Sequence, residues 1–289
     1  MQVWYLSFAG DEGWRGAVIV QAPGFQAAIQ TAWNLGINPG GEVKGAELAD
    51  DENLPKAAPG WARNRLLTKD DLMRIDKEAI GDFLSCLQYP LYFLDFETIN
   101  TAIPLFDNLR PYQQLPFQYS LHVLGKKGGR LEQYGYLADG TADPRPAILK
   151  ELRKLLGKSG SVVGYNVNFE RGVLRSASDA YPEYQVWFAG IDARMVDLLD
   201  PFKSYAWYHP KQNGSCSLKA VLPTITDLSY SDMEIADGGT ASGKFLRVTF
   251  GDADDAERQK VRKALEEYCA LDTLAMVRIV ERLWEIVIG

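Results

Sequence analysis

Two kinds of hydrophobic spacing divide the chain. Near the start, Val3-Trp4-Tyr5-Leu6-Ser7-Phe8 and Ala17-Val18-Ile19-Val20 are short runs of strand-forming residues joined through Gly10-Asp11-Glu12-Gly13, which predicts a hairpin. Phe25, Ile29 and Trp33 then recur at helical spacing, and Gly36 supplies a stop. Asn38-Pro39-Gly40-Gly41 reads as a turn. Residues 1–50 are expected to form a small α/β unit of unassigned role, with Trp4, Tyr5 and Trp33 in its core. Residues 51–76, with Asp51, Glu52, Pro55 and Pro59, are expected to form a linker.

From residue 77 the pattern changes. Ile80, Phe83, Leu84 and Leu87 mark one face of a helix that Pro90 ends, and residues 91–96 read as a buried strand. Residues 117–124 and 131–137 are further strands. The intervening Gly125-Lys126-Lys127-Gly128-Gly129 predicts that the three strands run antiparallel. A helix over 144–156, a short strand over 161–165, helices beginning at Asn168 and near 191–199, and a long helix over 256–287 follow. Asp237-Gly238-Gly239-Thr240-Ala241-Ser242-Gly243 reads as a mobile loop. Strands followed by alternating helices describe an α/β domain with a mixed sheet over residues 77–289.

Composition narrows the function classes. Hydrophobic residues make up 46% and charged residues 24%, as in ordinary globular chains. No apolar run approaches the roughly 18 to 20 residues of a membrane span, so no membrane partner is expected. The three cysteines lack C-x-x-C spacing, which argues against a disulfide scaffold or zinc knuckle and fits a cytoplasmic location. The net charge of −7 disfavours a protein that holds duplex DNA by charge alone. It does not disfavour an enzyme that gathers carboxylates around metal ions, which reverse the local sign. With two histidines, a three-histidine site is excluded.

Three motifs carry candidate chemistry. Asp95 and Glu97 are two apart on a strand and share a face, where they repel unless a cation joins them. Asn166 and Glu170 stand where a short strand enters a helix; helix capping is the plainer account of both. Tyr268 and Asp272 are four apart on a mostly apolar helix face, and an acid there needs a partner. Basic runs (Arg145, Lys150, Arg153, Lys154, Lys158; Arg258, Lys260, Arg262, Lys263) read as solvated faces, and His122 as a hydrogen-bonded sheet residue.

In this order the motifs resemble the DEDDy branch of the 3′–5′ exonucleases, on an RNase H-like fold. The wider runs 89–98, 110–114, 116–120, Ser217-Leu218-Lys219 and 268–273 are similar to a bacterial family of unknown function in that superfamily, over about residues 75–287. The resemblance implies that Asp95, Glu97, Glu170 and Asp272 hold two Mg²⁺ or Mn²⁺ ions, with Asp95 bridging. Glu97 would help to position the attacking water, and Tyr268 would orient it or help to deprotonate it. The implied reaction releases nucleoside 5′-monophosphates from the free 3′ end of single-stranded DNA or RNA. Thr98 would lie near the terminal sugar and Asn166 near the scissile phosphate. Gln118 and Arg110-Pro111-Tyr112 would line the groove, with Tyr112 stacking on a base and Phe117 in the core. Glu170 stands where the exonuclease pattern has Asp, which makes Asp192 its rival for the fourth carboxylate. The same departure motivates the alternative of a non-catalytic module that binds nucleic acid or protein.

Overall fold

The computed structural model describes residues 2–11, 13–48, 63–68, 73–231 and 233–289. Most of the expected linker and part of the first turn (Glu12) lie outside the described residues. The chain divides into two units, one of Met1–Ile75 with Tyr208–Pro210, the other of Asp76–Trp207 with Lys211–Gly289.

The first unit is a four-stranded sheet of order β3-β1-β2-β4, made of β1 (Gln2–Gly10), β2 (Gly13–Ala22), β3 (Glu42–Leu48) and β4 (Leu66–Leu67). Its pairings are antiparallel. Alternation sends Leu6, Phe8, Val18 and Val20 to one face, where they meet Ala28 and Ala32 of α1 (Phe25–Asn34). Trp4 lies against Phe25 with ring centroids 5.8 Å apart. Trp33 does not join this core. It is 64% exposed, because small alanines at 28 and 32 are what the tight helix–sheet contact admits.

The second unit is α/β, built on a five-stranded mixed sheet flanked by helices. The order is β9-β8-β5-β6-β7, from β5 (Leu91–Ile99), β6 (Leu115–Leu124), β7 (Leu131–Leu137), β8 (Val162–Gly164) and β9 (Met195–Asp197). β5, β6 and β7 are antiparallel neighbours, while β8 runs parallel to β5 and β9 parallel to β8. One face carries Tyr92, Leu94 and Phe96 against α3 (Arg145–Leu155), α4 (Asn168–Ala180) and α5 (Gln185–Asp192). The other carries Leu91 and Phe93 against α2 (Lys77–Ser85), α7 (Leu218–Ile225), α8 (Gly238–Phe250) and the 34-residue α9 (Asp255–Ile288). A four-residue α6 (Asp200–Lys203) adds Phe202 to that core.

Three expectations are corrected. Asp237 to Gly243 is not a loop. Asp237 caps α8 by accepting from the Thr240 N–H at 2.8 Å, and Ala241, Phe245 and Val248 supply a buried stripe that outweighs the weak helix propensity of its glycines. The helix placed near 191–199 ends at Asp192, and Met195–Asp197 forms the edge strand β9. Arg145 is no solvated residue. It is 2% exposed and bound to Asp143, with Nη2 2.6 Å from Oδ2.

Candidate metal centre

The site begins with the alternation of β5. Asp95 and Glu97 continue the Leu91/Phe93 face and therefore look toward α9, whereas Phe96 points into the opposite core. A register irregularity between Glu97 and Thr98 ends the regular ladder at this point. On α9, Tyr268 and Asp272 are one turn apart on the buried stripe. Oxygen atoms of Asp95, Glu97 and Asp272 lie within 4.8 Å of one another.

What fixes α9 against the sheet is polar. Gln118, Ser120 and His122 of β6 stand opposite Glu97, Asp95 and Phe93. The Gln118 amide donates to the Leu265 carbonyl at 2.8 Å, while Ser120 Oγ and His122 Nδ1 each lie 2.7 Å from Thr273 Oγ1. These buried bonds set the rotation of α9 that turns Asp272 toward Asp95. Gln118 is 2% exposed and belongs to this clamp; it also borders a cavity of about 230 Å³ with residues of β7 and Glu266 of α9. Phe117 is core, stacked on Phe245 at 4.0 Å.

Glu170 arrives from the other layer, in the first turn of α4. It is 2% exposed and its Oε2 has no hydrogen-bond partner. Gly164, at the end of β8, makes room for it, since a Cβ there would stand 3.1 Å from that oxygen. The charge of Glu170 acts on Asp95. Asp192 is not a competitor at the cluster. It is held by Arg171, with Nε 2.5 Å from Oδ1, and by Arg175 at 3.7 Å.

All four carboxyls titrate high. Burial comes first for each. It is reinforced at Asp95 by Asp272, Glu97 and Glu170, which keep that group well above the usual range. Burial and the charge of Asp272 push Glu97 up to about 8. Burial, opposed by a backbone N–H and aided by Asp197, puts Glu170 at about 8. Asp272 reaches only about 6, because Tyr230, Lys219 and Tyr268 offset its burial.

Sequence reasoning left two neighbours of Asp272 without a role. Tyr230 donates to Asp272 Oδ1 at 2.5 Å and meets the Tyr268 ring edge-on at 6.3 Å. Lys219, from the Ser217-Leu218-Lys219 motif, donates to the Tyr268 hydroxyl at 3.1 Å and lies over both rings, at 5.4 Å and 5.1 Å. No sequence pattern surrounds Tyr230. Lys219 carried a signal but no assignable partner until α7 and α9 were placed together.

The other expected residues are spread around this cluster. Thr98 Oγ1 donates to Gln114 at 2.6 Å, and its carbonyl accepts from Ser242 at 2.8 Å. Asn166, exposed and at a positive φ of 67°, donates its N–H to Asp197 at 2.8 Å and caps no helix with its side chain. Tyr112 is 69% exposed, on the segment between β5 and β6.

The residues fit hard divalent cations. Among the described residues none of the four acids makes an ion pair, and every free donor is a carboxylate oxygen, the set that suits Mg²⁺ or Mn²⁺. The Cys269 thiol, 3.7 Å from Asp95 Oδ2, is held protonated by burial and the surrounding acids.

The profile of a family described as a domain of unknown function (DUF2779) matches residues 92–217, a stretch holding Asp95, Glu97 and Glu170 but not Asp272. Similar chains include the uncharacterized protein UU173 of Ureaplasma parvum, 26% identical over 237 residues, which covers 74% of this chain and 34% of the relative. The uncharacterized MG366 homolog of Mycoplasma pneumoniae is 25% identical over 206 residues, 65% of this chain and 31% of the relative. The chain thus spans about a third of the length of the curated relatives it matches. Among the described residues no helix is long and apolar enough to cross a membrane.

Proposed function

We propose that the second unit is an RNase H-like, divalent-metal-dependent 3′–5′ exonuclease acting on single-stranded DNA or RNA. The observation that supports this reading is the convergence of Asp95, Glu97 and Asp272 within 4.8 Å, half-buried or buried and in no ion pair among the described residues, with Glu170, whose Oε2 has no hydrogen-bond partner, acting on Asp95 by its charge. A cluster of mutually repelling acids is costly to bury and has no structural use without cations.

Asp95, Glu97, Glu170 and Asp272 would hold two Mg²⁺ or Mn²⁺ ions, which supply charge stabilisation for the attacking and leaving oxygens of an in-line displacement. Tyr268 holds the attacking water in place rather than taking its proton. Burial and the nearby carboxylates raise its phenol far above the ordinary value, so the hydroxyl stays protonated. Lys219 anchors that hydroxyl from outside, and Tyr230 holds Asp272 from behind.

The test is a 5′-labelled single strand incubated with Mn²⁺ and either wild-type protein or Asp95→Asn. Stepwise shortening from the 3′ end, lost by at least a hundredfold in the variant and absent on a circular strand, is expected. Cutting of the circle would replace the reading with an endonuclease. No degradation of any DNA or RNA strand would replace it with a binding module.

A further inference from the structure

A groove of about 570 Å³ lies between the segment that follows β5 and the outer face of α4. Gly172, Arg175, Ser176 and Asp179 line it from α4, at spacings of i, i+3, i+4 and i+7. Glu170 points from the opposite side of the same helix into the acid cluster, so the width of α4 separates the two places.

The lining is built for an anion. Arg110 makes no ion pair among the described residues, and Arg175, over the Phe188 ring at 6.0 Å, has as its ion-pair contact only a 3.7 Å approach to Asp192, which Arg171 already holds. Arg145 contributes to the lining while almost wholly buried. Its Nε and Nη2 are spent on Asp143, but Nη1 has no hydrogen-bond partner. That nitrogen is buried, so Arg145 adds positive charge behind the groove wall and not a direct bond to a ligand in it. Asp179, on the last turn of α4, is the one acid among the described lining residues. At the rim stands Tyr112, exposed and held at a positive φ of 61°. Such a conformation is uncommon for an aromatic residue and persists only where the surroundings enforce it. Here the Tyr112 N–H donates to the Thr101 carbonyl at 3.0 Å, and the Gln113 amide ties the segment to Ser176 at 3.0 Å.

We propose that this groove is a second substrate contact: it takes a phosphodiester of the single strand upstream of the bond that is cut, while Tyr112 stacks on a neighbouring base. Arginines for the backbone and an exposed ring for the base are the usual means of holding a single strand without reading its sequence. The inference rests on the nuclease reading, but it places the second binding position outside the acid cluster.

Binding is measured in EDTA, without turnover, by anisotropy of a labelled twelve-residue oligothymidylate. The Arg110→Ala/Arg175→Ala double variant should bind at least tenfold more weakly. Its plot of log affinity against log salt should be shallower by about 0.7, the change expected when one phosphate is no longer neutralised. Tyr112→Ala should lose about fivefold or more with the salt slope unchanged. Affinity and slope unaltered in the double variant would overturn the proposal. So would displacement of the strand from wild type by about millimolar inorganic phosphate, which would assign the groove to free phosphate. Binding that depends on Arg110 and Arg175 without any hydrolysis in Mn²⁺ would remove the nuclease reading and leave the groove. Hydrolysis lost in Asp95→Asn, with binding indifferent to the arginines, would do the reverse.

Discussion

Asp272 is the least perturbed acid of the cluster because two tyrosines and a lysine work on it. Tyr230 is the closest of these, and its 2.5 Å bond fixes which carboxylate oxygen stays free to face Asp95 and Glu97. Removing only the hydroxyl, in Tyr230→Phe, keeps the ring packed against Tyr268. Partners that orient metal ligands typically contribute 10- to 100-fold to metal affinity or activity. The variant should therefore bind Mn²⁺ about tenfold or more weakly by calorimetry, with little change in strand affinity measured in EDTA. Equal Mn²⁺ affinity would make Tyr230 a packing residue. At this scale the sequence was legible where chemistry followed spacing, as in Asp95-x-Glu97 and Tyr268 with Asp272. It was mute at Tyr230, which reaches the site from irregular chain. At Gln118 the resemblance implied a groove residue but not the bond to the Leu265 carbonyl that helps to seat α9, because that partner lies far away in sequence.

At the scale of elements, the cluster depends on two junctions. The first is the polar seam between β6 and α9, where Gln118, Ser120 and His122 hold the helix in register. The second is the turn from β8 into α4, where Gly164 lets the Glu170 carboxylate approach. A methyl group at 164 would stand 3.1 Å from Oε2 and 3.2 and 3.3 Å from Cγ2 and Cα of Val167, closer than ordinary van der Waals contacts, and would push the acid and the turn away by a few tenths of an ångström. Gly164→Ala should therefore weaken Mn²⁺ binding about three- to tenfold while lowering the melting temperature of metal-free protein by only a few degrees, the cost of easing Val167 aside. A matched loss in both would mean that the glycine serves β8 rather than the site. Hydrophobic period was enough to place β5 to β8, α3 and α9. It was insufficient for α8, where glycines masked a short apolar stripe that Asp237 caps, and for β9, whose three residues carry too little pattern. The four acids come from β5, α4 and α9, so their meeting depends on layer packing that no local pattern contains.

For the molecule as a whole, the cluster makes stability depend on protons and cations in a definite sense. Folding raises the titration of Asp95, Glu97, Glu170 and Asp272 above their unfolded values, so between about pH 4 and 8 the folded chain binds more protons than the unfolded one. Stability then falls as pH rises through that window. His122 acts in the opposite direction: burial first, then Arg278, lowers it to about 4, so its contribution grows as pH rises toward its unfolded value near 6.5. Asp143, whose burial is outweighed by its bonds to Arg145, titrates below the usual range and affects only more acidic conditions. Above about pH 6.5 the His122 contribution levels off, and the acids dominate from there to pH 8.5. Metal-free protein in EDTA should melt at a lower temperature at pH 8.5 than at pH 6.5. A cation bound only by the folded chain stabilises by about 2.7 kcal/mol at a hundredfold excess over its Kd, which corresponds to roughly 5–10 °C for a domain of this size class. Mn²⁺ should therefore raise the melting temperature, and more at pH 8.5, where it does not have to displace protons. Asp95→Asn removes one of the repelling charges. It should raise the metal-free melting temperature at pH 8.5 and abolish most of the Mn²⁺ increment. Melting that ignores both pH over this interval and Mn²⁺, in wild type and variant alike, would mean that the acids carry no mutual strain and hold no cation, and the hydrolytic reading would lose its physical basis.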